Sequence, residues 1–189
     1  MTSATAGLDW PFATERLSLR PAVAADLPAM YAYRGQDSVT QWMTSQPADE
    51  KEFEAYISVK LDCTLVIERE EALIGDLYLD VGDAWSQSEV REHAARTQAE
   101  IGWCLDPAHT GRGYATEAVA ELLRISFDEL GLRRVFAQCF AANEASWRLM
   151  ERLGMRREQH TKQDSLHRNG EWLDGMMYAL LRDEWLSAR

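Results

Sequence analysis

At 189 residues the chain is long for one average domain and short for two, so a single domain is expected. A hydrophobic content of 46% allows a sizeable core, and a net charge of −11 argues against nucleic-acid binding, which calls for a basic face. The acidity favours cationic partners such as a basic protein, an amine-bearing antibiotic or a polyamine, or else it serves solubility alone.

Residues 1–13 are small and polar and read as a loose tail, followed by a domain over 14–189. Arg16 to Arg20 alternates as a half-exposed strand ended by Pro21. Leu27, Met30, Tyr31 and Arg34 fall at helical spacing, with Asp26 and Pro28 suited to the first turn. Asp37 to Met43 is expected as a short helix. It carries Trp42, either a core residue or a wall of the substrate pocket.

Pro47 is expected to open an acidic helix with a stripe of Phe53, Tyr56, Ile57 and Leu61. Thr64 to Glu68 and Leu73 to Val81 read as strands around a tight turn at Arg69 to Glu71. Gly82 to Thr97, with Trp85, lacks periodicity and is expected as an acceptor-side flap.

Gln98 to Leu105 is β-like and leads through a Gly-containing turn, His109 to Ala115, into a helix from Tyr114 to about Leu130. Gly111 and Gly113 allow φ > 0 or close approach of a ligand. The turn leaves several N–H groups at a helix start, which makes an anion site with Arg112 as charged helper. Neither nucleotide fingerprint fits: no Lys follows either Gly, and Thr116 stands where a third Gly would be needed. A plain strand-to-helix turn is the simpler alternative.

Gly131 is expected to stop that helix. Arg134 to Phe140 reads as a central strand, parallel to the one before the helix in a right-handed βαβ unit. A helix from Glu144 to Leu153 follows, with Asn143 as a possible N-cap, and ends at Gly154. Met155 to Arg182 reads as two strands around Arg168-Asn169-Gly170. The order β-α-α-β-β-β-α-β-α-β-β predicts a mixed α/β sheet with helices on both faces.

Cys63, Cys104 and Cys139 lie in apolar, strand-like runs and are expected as buried, reduced thiols in a cytoplasmic protein. The four histidines have no metal-ligand spacing, so no metal is expected. No signal-peptide pattern or membrane-spanning apolar run is present in the sequence.

The stretch from Ala99 to Arg156 resembles the GNAT N-acetyltransferase superfamily. The family motif Gln/Arg-x-x-Gly-x-Gly/Ala falls on Thr110-Gly111-Arg112-Gly113-Tyr114-Ala115, with Thr in place of the usual Gln or Arg. Glu-Ile-Gly-Trp before the turn, Tyr-Ala-Thr-Glu-Ala after it, and Asn-x-x-Ser at Asn143 to Ser146 resemble the Rim-type ribosomal-protein alanine N-acetyltransferases. The resemblance spans roughly residues 14–185.

It implies acetyl-CoA as cosubstrate. Its pyrophosphate would lie on Thr110 to Thr116, and its pantetheine arm along the backbone of Trp103, Cys104 and Leu105, between splayed strands. It also implies Asn143 on the pantetheine or substrate side. Acyl transfer to an amine needs a neutral amine, a polarised carbonyl and a protonated leaving thiolate. Glu100 is the expected base, direct or through water, against the alternative of a surface strand residue. Ser146 is the expected donor to the sulfur, because Met150 occupies the position where many relatives carry a Tyr acid. The acceptor expected first is a protein N-terminal amine, with a small cationic amine (aminoglycoside or polyamine) or a non-catalytic CoA-binding module as rivals. Trp42 and Trp85 are the expected acceptor contacts, in a monomer or homodimer. Tyr178 is expected to serve packing.

Overall fold

The computed structural model describes residues 5–187. Eight strands form one mixed sheet in the order β1-β2-β3-β4-β5-β6-β8-β7. They are β1 Phe12–Ala13, β2 Ser18–Pro21, β3 Thr64–Arg69, β4 Ala72–Gly82, β5 Gln98–Leu105, β6 Arg134–Phe140, β7 Arg156–Leu166 and β8 Trp172–Leu181. The helices are α1 Leu27–Arg34, α2 Asp37–Thr40, α3 Glu50–Ser58, α4 Arg91–Ala94, α5 Tyr114–Arg124, α6 Glu144–Arg152 and α7 Arg182–Ser187. The expected order is therefore present, with β1, the short α2, α4 and α7 added to it.

Backbone contacts divide the chain into two compact units. The first holds residues up to Asp80 together with Gly102–Leu122; the second holds Val81–Ile101 and the chain from Leu123 onward.

In the first unit, part of the expected loose tail is ordered. Phe12 and Ala13 pair with Leu19 and Ser18, and the Trp10 indole N–H donates to the Thr5 carbonyl. Residues 1–4 lie outside the described range. Pro21 ends β2 as expected, in register opposite Leu65, and the next N–H, from Ala22, donates to Thr64. Asp26 closes the 3-10 turn Ala24–Asp26 that leads into α1: its carboxylate accepts the Val23 N–H at 2.8 Å and the Arg20 guanidinium on both oxygens.

Helix α2 stops at Thr40, which leaves Trp42 in a half-buried turn rather than in the expected helix. Asp49, not Pro47, starts α3, because its carboxylate takes the Glu52 N–H. Phe53 and Ile57 from α3 pack with Leu27, Met30 and Tyr33 of α1 and with Val66 and Cys104. Tyr56 and Leu61, also in the expected stripe, are only partly buried.

One buried polar group stands in this core. Asp76 of β4 accepts from the Tyr33 hydroxyl and forms a two-pronged pair with Arg34, with Arg34 Nε at 2.8 Å. Burial and the Asp76 charge hold the Tyr33 phenol far above its usual value. Breaking one side of such a pair costs about 3–5 kcal/mol. Beside it, a Cβ at Gly75 would lie 2.6 Å from the Cys104 carbonyl, so only Gly lets β4 pass β5 this closely.

The turn between β3 and β4 has two non-glycine residues at positive φ, Glu70 and Glu71, as a two-residue hairpin of right-handed twist requires.

In the second unit, Val135, Ala137, Leu149, Met150, Tyr178 and Ala179 are buried. Tyr178 donates to Glu151 at 2.9 Å, in keeping with a packing role. Strand β6 is paired along its whole length with β8, antiparallel, but its parallel pairing with β5 covers only Gln98, Ala99 and Glu100. The hairpin β7–β8 turns near Gly170, at φ 89°, as Asn-Gly predicts. Residues 82–97 are not a shapeless flap. Asp83 accepts the Arg96 N–H, Ala84 donates to Ala94, and α4 lies inside the loop.

Helix α5 buries Ala118, Val119, Leu122 and Leu123 completely, at about 1.5–3 kcal/mol for each of its larger apolar side chains. Its continuation, Ile125–Glu129, widens to a π-helical turn closed by Leu130 N–H on the Ile125 carbonyl. Gly131 follows at φ 65°, the expected stop.

Candidate active site

The glycine turn is built in the first unit. Asp106 caps a 3-10 turn at Pro107–His109 by accepting the Ala108 N–H. Gly111 and Gly113 then take φ of 73° and 82°, which side chains rarely adopt. Glu117 N–H is the donor of the first intrahelical bond of α5, onto the Gly113 carbonyl at 3.0 Å. The N–H groups of Tyr114, Ala115 and Thr116 precede that bond and sit at the positive end of the helix.

Space around the turn fits an anion. A Cβ on Gly111 would meet nothing within 4 Å, and one on Gly113 only Arg16 Nη2 at 3.5 Å. Gly111, Arg112 and Gly113 are exposed. Thr110 has its hydroxyl hydrogen committed, since Oγ1 donates to the Pro107 carbonyl at 2.9 Å. Its side chain therefore braces the turn.

Three residues outside the expected set, Arg16, Glu117 and Arg69, stand around the turn. Arg16 donates to the Arg112 carbonyl and pairs with Glu117, and its guanidinium lies 4.7 Å from the centre of the Tyr114 ring. Arg69 stands 5.4 Å from the same ring. Glu117 was visible as part of Tyr-Ala-Thr-Glu-Ala, but nothing in the sequence connects it with Arg16.

Trp103, Cys104 and Leu105 form the end of β5, with the Cys104 side chain buried and Trp103 and Leu105 half-buried. Buried Ala99 and Ile101 lie two residues apart, whereas Cys104 lies three beyond Ile101, so the alternation slips a residue there. Burial and the nearby Asp76 charge push the Cys104 thiol up to about 12. Cys63 is half-buried in a 3-10 turn rather than in a strand, and all three cysteines are free.

Glu100, Asn143, Ser146 and Trp85 belong to the second unit. Glu100 is half-buried on β5, opposite Phe136, between the buried Ala99 and Ile101. Asn143 caps α6 as expected: Oδ1 accepts the Ser146 N–H at 3.3 Å. Ser146 lies in the first turn of α6, and its side chain hydrogen-bonds the Cys139 thiol. Met150 is fully buried, so that position offers no proton donor. Trp85 is 94% exposed on its loop.

Charge is unevenly shared. The first unit carries 17 Asp and Glu against 7 Lys and Arg, the second 14 against 13. Among the described residues no cluster of His, Cys, Asp and Glu could hold a metal, and no helix is long and apolar enough to cross a membrane.

Comparison with known proteins agrees with this geometry. Residues 16–156 match the model of the acetyltransferase (GNAT) domain. The chain is 29% identical over 177 residues to the uncharacterized N-acetyltransferase YnaD of Bacillus subtilis, covering 91% of this chain and 97% of that protein. A GNAT-family acetyltransferase structure from Bacillus anthracis superposes with a TM-score of 0.78 at 28% identity, over 93% of this chain and 100% of that one. The fold is also that of RimL, a ribosomal L7/L12 alpha-N-protein acetyltransferase solved with coenzyme A (TM-score 0.76, 20% identity, 90% and 97% covered). With the family model covering most of the chain, this protein belongs to the GNAT family and is an acetyl-CoA-dependent N-acetyltransferase.

Proposed function

We propose that residues 14–189 form a single Rim-type domain that transfers acetyl directly to a protein N-terminal amine, in the cytoplasm. The observation that carries the cosubstrate side is the left-handed pair Gly111 and Gly113 at an open helix start. In this reading the pyrophosphate lies on the N–H groups of residues 111–116, and the pantetheine arm runs along the backbone of Trp103 to Leu105. The short parallel pairing of β5 with β6 supports that arm, since a strand that leaves its neighbour early frees backbone groups to pair with something else.

Glu100, directly or through a water, takes the proton of the acceptor ammonium. The amine nitrogen then bonds to the thioester carbon, the carbon–sulfur bond breaks, and Ser146 gives its proton to the departing thiolate while taking up the one the nitrogen sheds as it becomes an amide. A helix N-terminus behind Ser146 favours that negative sulfur. Positioning supplies much of the acceleration, since an amine attacks a thioester without a covalent enzyme intermediate.

The surplus of ten acidic residues in the first unit favours a cationic acceptor, and the RimL fold supports a protein terminus as that acceptor. The same charge also suits a polyamine or aminoglycoside. A mass-spectrometric acetylation screen of N-terminal peptides, polyamines and aminoglycosides decides between them. The peptides should win, and their kcat/KM should fall more steeply than that of acetyl-CoA between ~0.05 and ~0.5 M salt, as the Debye length drops below ~10 Å. Preference for a polyamine overturns the protein acceptor, and equal salt sensitivity assigns the acidity to solubility.

A further inference from the structure

The glycine turn is held from outside by a chain of bonds that begins nearly a hundred residues earlier. Thr14 Oγ1 donates to Glu117 Oε1 at 2.5 Å, and the Arg16 backbone N–H donates to the same oxygen at 2.9 Å. Arg16 Nε and Nη2 form a fork on Glu117 Oε2 at 2.7 and 2.6 Å. Arg16 Nη1 then reaches the Arg112 carbonyl at 3.1 Å, while the guanidinium lies against the Tyr114 ring. Glu117 itself stands in the first turn of α5, and its own N–H is tied to Gly113. The four donors hold the Glu117 carboxyl below its ordinary range despite partial burial.

This arrangement has a consequence for the anion site. A trans peptide is planar, so its C=O and N–H point in opposite directions. Holding the Arg112 carbonyl outward fixes the Gly113 N–H on the other side. Gly113, at φ 82°, makes this peptide easy to flip, because the residue on its N–H side has no Cβ to resist the change in φ. A flipped plane would present a carbonyl oxygen to the phosphate where an N–H is needed.

We propose that Arg16 and Glu117 are positioning residues that lock the Arg112–Gly113 peptide and so set the affinity of the turn for pyrophosphate; this rests on the acetyl-CoA reading above. Arg16 acts through the shape of its fork. A planar guanidinium can hold a carboxylate with one edge and a carbonyl with another, and a lysine ammonium cannot reproduce that.

The test uses Arg16→Ala, Arg16→Lys and Glu117→Gln with two donors, acetyl-CoA and S-acetyl-pantetheine, which carries the same thioester without the pyrophosphate. For Arg16→Ala and Glu117→Gln, KM for acetyl-CoA should rise about tenfold, a loss of about 1.4 kcal/mol. Saturated kcat should stay within about twofold, and KM for S-acetyl-pantetheine should not move. Arg16→Lys should behave like Arg16→Ala. Amide hydrogen exchange at Gly113 in the ligand-free protein should quicken in all three variants. Equal KM changes for both donors, full rescue by Lys, or unchanged exchange at Gly113 in variants that melt with the parent would overturn the lock. Failure of the parent to bind acetyl-CoA would sink the functional reading instead, and the exchange measurement would still decide the lock. If Arg16→Ala does not fold, Glu117→Gln, which keeps the shape of the side chain, carries the comparison.

Discussion

The Ser146 hydroxyl hydrogen-bonds the Cys139 thiol, joining the first turn of α6 to β6. Burial pushes that thiol up to about 11, and the Ser146 bond pulls it the other way. A hydroxyl that favours a thiolate at Cys139 has the polarity that a departing CoA thiolate needs. Ser146→Ala is expected to lower kcat by about 10²-fold, the low end for loss of a general acid. It should also move the alkylation profile of Cys139 to higher pH. A variant with parental kcat but a shifted Cys139 would confine Ser146 to its neighbour's thiol.

Acetyl-CoA at ~100 times its dissociation constant should stabilise the parent by ~2.7 kcal/mol, read as a rise in Tm. Gly113→Val should abolish the rise. Its new Cβ would sit at φ 82°, where a branched side chain is strained, and would stand on the exposed side of the turn. A Gly113→Val protein that still gains the parental shift with acetyl-CoA would remove the turn from the binding site.

Glu100→Gln keeps the size of the side chain and removes its basicity. A rate loss of ~10²–10⁴ is expected at pH 7, with acetyl-CoA affinity nearly unchanged. The deficit should narrow as pH rises, because free amine then becomes plentiful without a base. Activity within about threefold of the parent at pH 7 would hand the proton to solvent or to another group.

The buried thiol of Cys104 and the half-buried thiol of Cys139 predict an alkaline limit to stability. Folding raises Cys104 to about 12 and Cys139 to about 11 from an ordinary value near 9. Below pH 9 both are protonated in folded and unfolded chains, and neither costs anything. Above it the unfolded thiols ionise while the folded ones stay protonated, so stability falls as pH rises toward 11 and 12. For a fully buried group the slope approaches about 1.4 kcal/mol per pH unit. Urea midpoints between pH 8 and 10.5 should drop less in Cys104→Ala than in the parent. Parallel curves for the two proteins would clear Cys104 of any part in the alkaline loss.

What could be read locally in the chain is what local geometry controls. Gly111 and Gly113 mark a turn because positive φ disfavours residues with a Cβ, and Gly131 stops its helix for the same reason. Ala115, Ala118, Val119, Leu122 and Leu123 repeat at helical spacing, and all but the half-buried Ala115 are buried. Asn143 precedes an apolar helix face, and it caps α6. Pro21 ends β2 because it lacks a ladder donor, whereas a boundary proved harder where a side chain competed with propensity: Asp49 rather than Pro47 starts α3.

The contacts that shape the site belong to the tertiary structure. Arg16 and Glu117 are separated by 101 positions, and Arg34 and Asp76 by 42. Cys139 and Ser146 are close in sequence but meet only because β6 and α6 return on each other. Periodicity reports which face of an element is apolar and carries no information on which charged residue a distant turn will meet. That choice depends on sheet register and on how the strands are ordered, which many residues settle together. The sequence therefore determined the glycine turn and its helix, while the packing of β2 against the sheet decided that Arg16 holds the turn.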